Sequence, residues 1–158
     1  MPNFITQTVR PLNSDFNTGI DRNIVIVDEN TGQTIYAGKY TELTSKNEVT
    51  KIKVKPLNNG ARTLTKNDYE GWTGTITIAR EDGSWDAFQA IQEAQYHAGQ
   101  SQHYFSVYET TSNQNGTVDE FHYVHATLNL TEGGTWRKES DVPLRIEFDA
   151  EERIQLSQ

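Results

Sequence analysis

Four histidines, His97, His103, His122 and His125, are the side chains best suited to hold a metal or move a proton. A zinc site would need them to converge with further nitrogen, sulfur or carboxylate ligands. The sequence has no cysteine, which removes thiolate ligands and disulfides together. No H-E-x-x-H pattern is present. His122 and His125 stand three apart in a stretch that reads as strand, where an odd spacing sends side chains to opposite faces. These imidazoles read as surface or interface groups.

The run Asp28-Glu29-Asn30-Thr31-Gly32 resembles the start of a calcium loop. The EF-hand pattern wants glycine at its sixth position and glutamate at its twelfth. Here Gly32 falls fifth and Lys39 twelfth, so the run reads as a turn. Glu109, Asp119, Glu120, Glu147 and Asp149 could in principle supply the two carboxylates of a glycoside hydrolase. No spacing singles out a pair, and a solvated strand face explains them better. Neither a phosphate-binding G-x-x-x-x-G-K-[ST] loop nor a G-x-G-x-x-G turn nor a G-x-S-x-G elbow is present. Asn115-Gly116-Thr117 and Asn129-Leu130-Thr131 match the glycosylation sequon by chance, since no export signal accompanies them. The expectation is a chain with no catalytic residues, no metal site and no cofactor.

The elements that would position these groups are mostly strands. Asn23 to Asp28 is a near-continuous apolar run, followed by a turn at Glu29 to Gly32 and a second run from Gln33 to Gly38, a hairpin pattern. From Thr44 to Lys55, Thr50, Ile52 and Val54 alternate with Lys51, Lys53 and Lys55, as in a half-buried strand with a basic stripe. Residues 57–71 are polar and read as loop. Trp72, Ile76 and Ile78 then face one way and Thr73, Thr75 and Thr77 the other. Ser84 is a fit N-cap for a helix to Tyr96, with Asp86 in its first turn and Gly99 as its stop. Its apolar stripe reads as Trp85, Phe88 and Ile91, with Tyr96 beyond, and suits core packing better than a sugar-stacking platform.

Tyr104 to Thr110 and Val118 to Leu130 read as a hairpin around the Ser112 to Gly116 turn. In its second strand Phe121 and Tyr123 share one face, while Val124, Ala126, Leu128 and Leu130 share the other. Either a bulge lies near Tyr123 and Val124, or both faces are buried, one by a neighbouring subunit. Val142, Leu144, Ile146 and Phe148 alternate with polar residues in a last strand, and Pro143 places its start near an edge. Residues 150–158 read as a polar tail, and residues 1–22 as an arm. The expected core comprises Trp72, Ile76, Ile78, Trp85, Phe88, Ile91, Leu128, Leu144, Ile146 and Phe148.

At 158 residues, 34% apolar and with a mean hydropathy of -0.73, the chain suits one domain with a thin core that leans on partner surfaces. Three Trp, seven Tyr and six Phe exclude a disordered chain. The net charge of -8 is uneven. Residues 1–80 carry 10 Lys and Arg against 8 Asp and Glu, and residues 81–158 carry 4 against 14. Such an acidic half argues against wrapping nucleic acid, which needs phosphate neutralisation. The first ten residues have no apolar signal region, and no run nears the ~18 apolar residues needed to span a bilayer. The expectation is a soluble chain folded in a cytoplasm.

Five motifs, taken in order, carry a resemblance. They are Gly71-Trp72-Thr73-Gly74-Thr75-Ile76, Trp85-Asp86-Ala87-Phe88-Gln89-Ala90, Asn115-Gly116-Thr117, Gly134-Thr135-Trp136 and Leu144-Arg145-Ile146-Glu147-Phe148-Asp149-Ala150. Over roughly residues 69–152 the chain resembles the tail tube proteins of contractile-tailed bacteriophages. The resemblance implies an α+β fold, mainly β: a β-sandwich or partial barrel flanked by one short helix, whose inner strands join a shared barrel. It implies a structural virion protein, not an enzyme, whose copies form stacked hexameric rings. Its partners would be itself, the tail sheath, the tape-measure, baseplate and tail-terminator proteins, and DNA passing through the lumen without sequence preference. It would be located in the virion tail after assembly in the host cytoplasm. Under this resemblance the arm 1–22 and the region 38–71 are expected to carry ring-to-ring stacking. Thr75, Thr77, Ser106, Asp119, Glu147 and Asp149 are the candidates to face the lumen, although lumen and outer strand faces read alike in sequence.

Two further readings stay open. A tube protein of a related injection or secretion machine would share the fold and the ring logic. A glycan-binding β-sandwich would need exposed aromatic side chains and would remain a small oligomer.

Overall fold

The computed structural model describes residues 22–35, 39–57, 60, 62–113 and 116–157. The expected arm, apart from Arg22, lies outside the described residues. Within them the chain forms eight strands and one helix: β1 (Arg22–Asp28), β2 (Thr34–Ile35), β3 (Lys39–Val54), β4 (Leu64–Ala79), α1 (Ser84–His97), β5 (Phe105–Ser112), β6 (Val118–Glu132), β7 (Pro143–Ala150) and β8 (Glu152–Ser157). All pairings are antiparallel. The sheet order is β2-β1-β5-β6-β7-β4-β3, with β8 paired to β6 off this path. The fold is thus mainly β with one helix, an α+β sandwich.

The sheet curls so that its two ends meet. Tyr40 on β3 donates its hydroxyl hydrogen bond to the backbone carbonyl of Arg22 on β1, at the opposite end of the order. Between the layers lie Ile24, Ile26, Ile76, Ile78, Phe105, Val107, Tyr123, Ala126, Leu128, Leu144, Ile146 and Phe148, all buried. Each large aliphatic or aromatic side chain there contributes about 1.5–3 kcal/mol by leaving water. Gly74 sits opposite Phe148 across β4 and β7. A Cβ on Gly74 would come within 2.3 Å of the Phe148 ring, so the missing side chain is what lets the phenyl lie flat against the strand.

β6 joins the two layers. Its first half pairs with β5 on one side and β8 on the other, and its second half pairs with β7. Val107 is opposite Tyr123 and Phe105 is opposite Ala126, so Val124 and His125 together face the single residue Ser106. This is a bulge, and His125 takes a φ of 55° within it. The bulge explains the phase change in the sequence: it lets Tyr123 and then Ala126 and Leu128 all point into the core.

Four expectations are corrected. Residues 64–71, read as loop, are the first half of β4 and pair with β3 from Leu64 to Gly71. Their side chains are polar because the ribbon is exposed, which hides the strand from a search for apolar alternation. Residues 152–157, read as polar tail, are β8. Val124 pairs with Glu152 and Leu130 with Ile146 in one constant register, so β8 continues β7 along β6. Pro143 does not mark an edge strand, because β7 lies between β6 and β4; as the first residue of the strand it loses little. Ser84 is not the N-cap. Gly83 is, and the Asp82 carboxylate accepts the Ser84 N–H at 2.9 Å.

The helix is seated by its first turns. Trp85 is buried, Phe88 is half-buried, and their rings meet edge-on at 5.2 Å, with Phe88 reaching Phe105 at 5.6 Å. Ile91, expected in the core, is 58% exposed, and Tyr96 is exposed as well. At 100° per residue the face that meets the sheet runs Trp85, Phe88, Gln89 and Gln92, which turns Ile91 aside. Trp72, also expected in the core, is half-buried, its edge 6.3 Å from Tyr123 and Arg153 stacked over it at 3.7 Å.

Candidate assembly surfaces

The outward face of β3, β4, β7 and β6 is hydrophilic across its width. Register sets three rows: Lys46, Thr73, Asp149 and Thr127; Thr44, Thr75, Glu147 and Asn129; Glu42, Thr77, Arg145 and Glu132. No row contains an apolar side chain. Thr73 donates to Glu48 at 3.1 Å, and Arg145 and Glu132 pair at 3.4 Å. Over Gly74 the face carries a shallow depression of about 310 Å³, lined by Thr44, Lys46, Thr73, Thr75, Glu147 and Asp149. Of the six residues expected to share a lumen face, the structure brings four together here: Thr75, Thr77, Glu147 and Asp149. Ser106 and Asp119 stand elsewhere. Ser106 is buried at the bulge and donates to Glu29 at 3.0 Å, and Asp119 accepts from Asn113 at 2.9 Å beside the β5–β6 turn.

β3 and β4 outrun their sheet. β4 pairs with β7 only from Trp72 onward, so Val49–Val54 and Leu64–Tyr69 continue as a free two-stranded ribbon. Gly71 marks the departure: its φ is 112°, and a Cβ would lie 2.3 Å from the Ala150 carbonyl oxygen. Ile52, Val54, Leu57, Leu64 and Tyr69 are exposed along the ribbon. Between residues 51 and 67 it carries Lys51, Lys53, Lys55, Arg62 and Lys66 and no acidic residue, on a chain whose net charge is -8. The basic stripe was legible in sequence; the projection was not.

The opposite outer face, on β1, β5, β6 and β8, is more apolar. Val25, Tyr108, His122 and Ile154 form one row across it, with Tyr108 and His122 stacked at 4.4 Å. Val25 and Ile154 are exposed.

The histidines do not converge. His103 lies 3.4 Å from Asp28, and His125 lies 3.0 Å from Glu29 with its ring stacked on Tyr104. Among the described residues no three His, Asp or Glu side chains are grouped to hold a metal ion. Burial would push the Glu29 carboxyl up, but the hydrogen bonds from the His125 ring, Ser106 and the His125 amide outweigh it and hold Glu29 below the ordinary carboxylate value. Among the described residues the most enclosed carboxylate is Glu109, 2% exposed, which pairs with Arg22 at 3.0 Å and accepts from Tyr123 at 2.8 Å. Sequence reading proposed Glu109 only by abundance. Its partner Arg22 is 87 positions away, and no local pattern connects the two.

No protein-family model matches the sequence, and no curated protein matches it. Solved structures do match in fold. A chain of the cryo-EM structure of the anti-feeding prophage (AFP) baseplate, 6-fold symmetrised, is similar at 11% identity and a TM-score of 0.58, covering 90% of this chain and 97% of that one. A chain of the PVC sheath-tube complex of an extracellular contractile injection system, in its extended state, gives 11% and 0.57 over 85% and 88%. A chain of the anti-feeding prophage tube terminating cap gives 9% and 0.58 over 100% of both. The mainly β fold with one helix is therefore shared, over 85–100% of this chain, with chains from contractile systems.

Proposed function

We propose that this chain is a structural tube subunit of a contractile tail or injection machine and that it performs no catalysis. Six copies join head to tail into a ring, and rings stack into a conduit. The observation that carries the reading is the fold likeness spanning 85–100% of the chain, to chains from a 6-fold symmetrised baseplate, a sheath-tube complex and a tube terminating cap.

Several features of the surface support this reading. The hydrophilic face of β3, β4, β7 and β6 lines the bore. Threonines and mixed charges there hold water and offer cargo no apolar patch to adhere to. Glu147, Asp149, Glu42 and Glu132 outnumber Lys46 and Arg145, so a passing phosphate backbone is repelled more than it is held. The basic β3–β4 ribbon reaches from one ring to the acidic body of a copy in the next. Rotational closure of head-to-tail contacts gives rings without loose ends. Sheath, tape-measure, baseplate and terminator proteins are the further partners, and the assembled tail of a phage or phage-like particle is the location. DNA is the cargo in a phage tail, and protein effectors are the cargo in an injection machine.

Negative-stain electron microscopy of the purified chain across a concentration series tests the reading. Rings or stacked tubes with a central hole are expected. Monodisperse monomers at every concentration, persisting when preformed tail ends are added as initiators, would sink it.

A further inference from the structure

Sheet edges are where copies of a β protein join, for good or ill. The edges of the lumen-type sheet differ. β3 ends the strand order, and along its 16 residues no strand pairs with its outer side among the described residues. β6, beyond its pairing with β5, is another matter: side chains from α1 take its backbone groups. Gln89 Oε1 accepts the Leu130 N–H at 3.1 Å, and Gln92 Nε2 donates to the Leu128 carbonyl at 3.1 Å.

The polarity of both amides is fixed by the backbone, since an N–H can only donate and a carbonyl can only accept. Gln89 is fixed a second time, because its amide nitrogen donates to Glu93 at 3.2 Å. Glutamines three apart project from one face of a helix, and a primary amide carries the donor and the acceptor that a neighbouring peptide group would offer. The helix meanwhile leaves Ile91 and Tyr96 exposed and turns these two polar side chains toward the sheet. Past the apolar seat of Trp85 and Phe88 this departs from ordinary amphipathic seating, and the two backbone groups on β6 account for it.

We propose that Gln89 and Gln92, with Glu93 orienting the first, form an edge guard. They stand in for a missing strand along β6 and block unspecific strand addition at Leu128 and Leu130. The guard concerns the isolated chain; its effect on assembly rests on the self-association proposed above.

The test uses the full chain at concentrations where it is monomeric. Replacing both glutamines, Gln89→Leu with Gln92→Leu, keeps size and removes both hydrogen bonds. Amide exchange at Leu130 should accelerate at least 10-fold. At higher concentration sedimentation should then show polydisperse, thioflavin-positive material in place of the wild-type distribution. If that variant does not fold, two others decide. Gln92→Glu loses the donor and sets a carboxylate against the Leu128 carbonyl, so it should aggregate at concentrations where the wild type does not. The swap Gln89→Glu with Glu93→Gln keeps an acceptor for Leu130 and a donor from position 93, so it should behave as wild type. Unchanged Leu130 exchange in the folded double-leucine variant, or equal behaviour of the two glutamate variants, overturns the proposal. A wild-type chain that never assembles but shows the expected exchange pattern would count against the tube and leave the guard standing.

Discussion

Tyr123 donates a 2.8 Å hydrogen bond to Glu109 inside the sandwich, where both side chains are all but sealed from solvent. The contact joins β6 to β5, and Arg22 on β1 completes it at 3.0 Å. Three strands are thereby tied by polar bonds within an apolar layer. Such bonds are expensive to half-remove, because the remaining partner stays buried and unsatisfied. Tyr123→Phe should cost about 1–3 kcal/mol. Glu109→Ala leaves the Tyr123 hydroxyl buried without its acceptor, while Arg22, 35% exposed, can turn to water, so it too should cost about 1–3 kcal/mol. Urea unfolding followed by tryptophan fluorescence measures both, and the idea fails if either variant is as stable as wild type.

The same tyrosine sets an alkaline limit. Burial, together with the charge on Glu109, pushes the Tyr123 phenol above its ordinary value of 10.0, more than Ser45 and Arg153 pull it back. A folded-state pKa above the unfolded one gives stability that is complete below pH 10 and lost as pH rises through the folded value. Tyr123→Phe should flatten this loss. Denaturation midpoints between pH 8 and 12, compared for the two chains, would reveal it.

At the acid end Glu29 acts in the opposite sense. Burial raises its pKa, but hydrogen bonds from His125 and Ser106 prevail and hold it below 4.5. A depressed folded-state pKa gives stability that is present above the unfolded value and lost as pH falls through the folded one. Glu29→Gln should therefore weaken the chain near neutrality and lessen its sensitivity below pH 4.5. Parallel acid titrations by circular dichroism check the sign.

Gly74 and Phe148 make a steric prediction. With a Cβ contact of 2.3 Å built into the geometry, Gly74→Val forces the ring or the strand aside. The expected cost is about 1–3 kcal/mol. Thermal melts suffice, and an unchanged melting temperature would mean that the sheet yields more easily than its packing implies.

Surface changes on the ribbon should separate folding from assembly. Leu57 is fully exposed, and Ile52 half-exposed. Ile52→Asp with Leu57→Asp should leave monomer stability within about 0.5 kcal/mol and shorten or abolish stacked tubes in electron micrographs. Tubes of wild-type length would remove the ribbon from ring stacking.

Much of this layout could be read from the sequence. A near-continuous apolar run located β1, and alternation located the second half of β4, β6 and β7, because each of these three buries one face in the core. The broken phase near Tyr123 and Val124 left a bulge and a neighbouring subunit as alternatives, and the strand register shows the bulge. The first half of β4 and all of β8 were missed, because neither buries an apolar face and their order comes from pairing alone. Ile91 was misassigned for a related reason. The apolar stripe was followed past Phe88, whereas the sheet beneath offers backbone groups that only Gln89 and Gln92 can satisfy. Thr75, Thr77, Glu147 and Asp149, named as lumen candidates, all lie on the hydrophilic face of β4 and β7. That they form one surface required the register between those strands.

β6 belongs to both layers of the sandwich, with the bulge at His125 as its bend. Its partner along the whole length is one nearly unbroken run of chain, residues 143–157. No linker separates the layers, so a torque on one is delivered to the other through continuous backbone. A bulge locks the angle between them, whereas a loop would let it drift. The chain is thus a stiff brick, and in an assembly of the kind proposed any change in pitch or twist would fall on the joints between bricks.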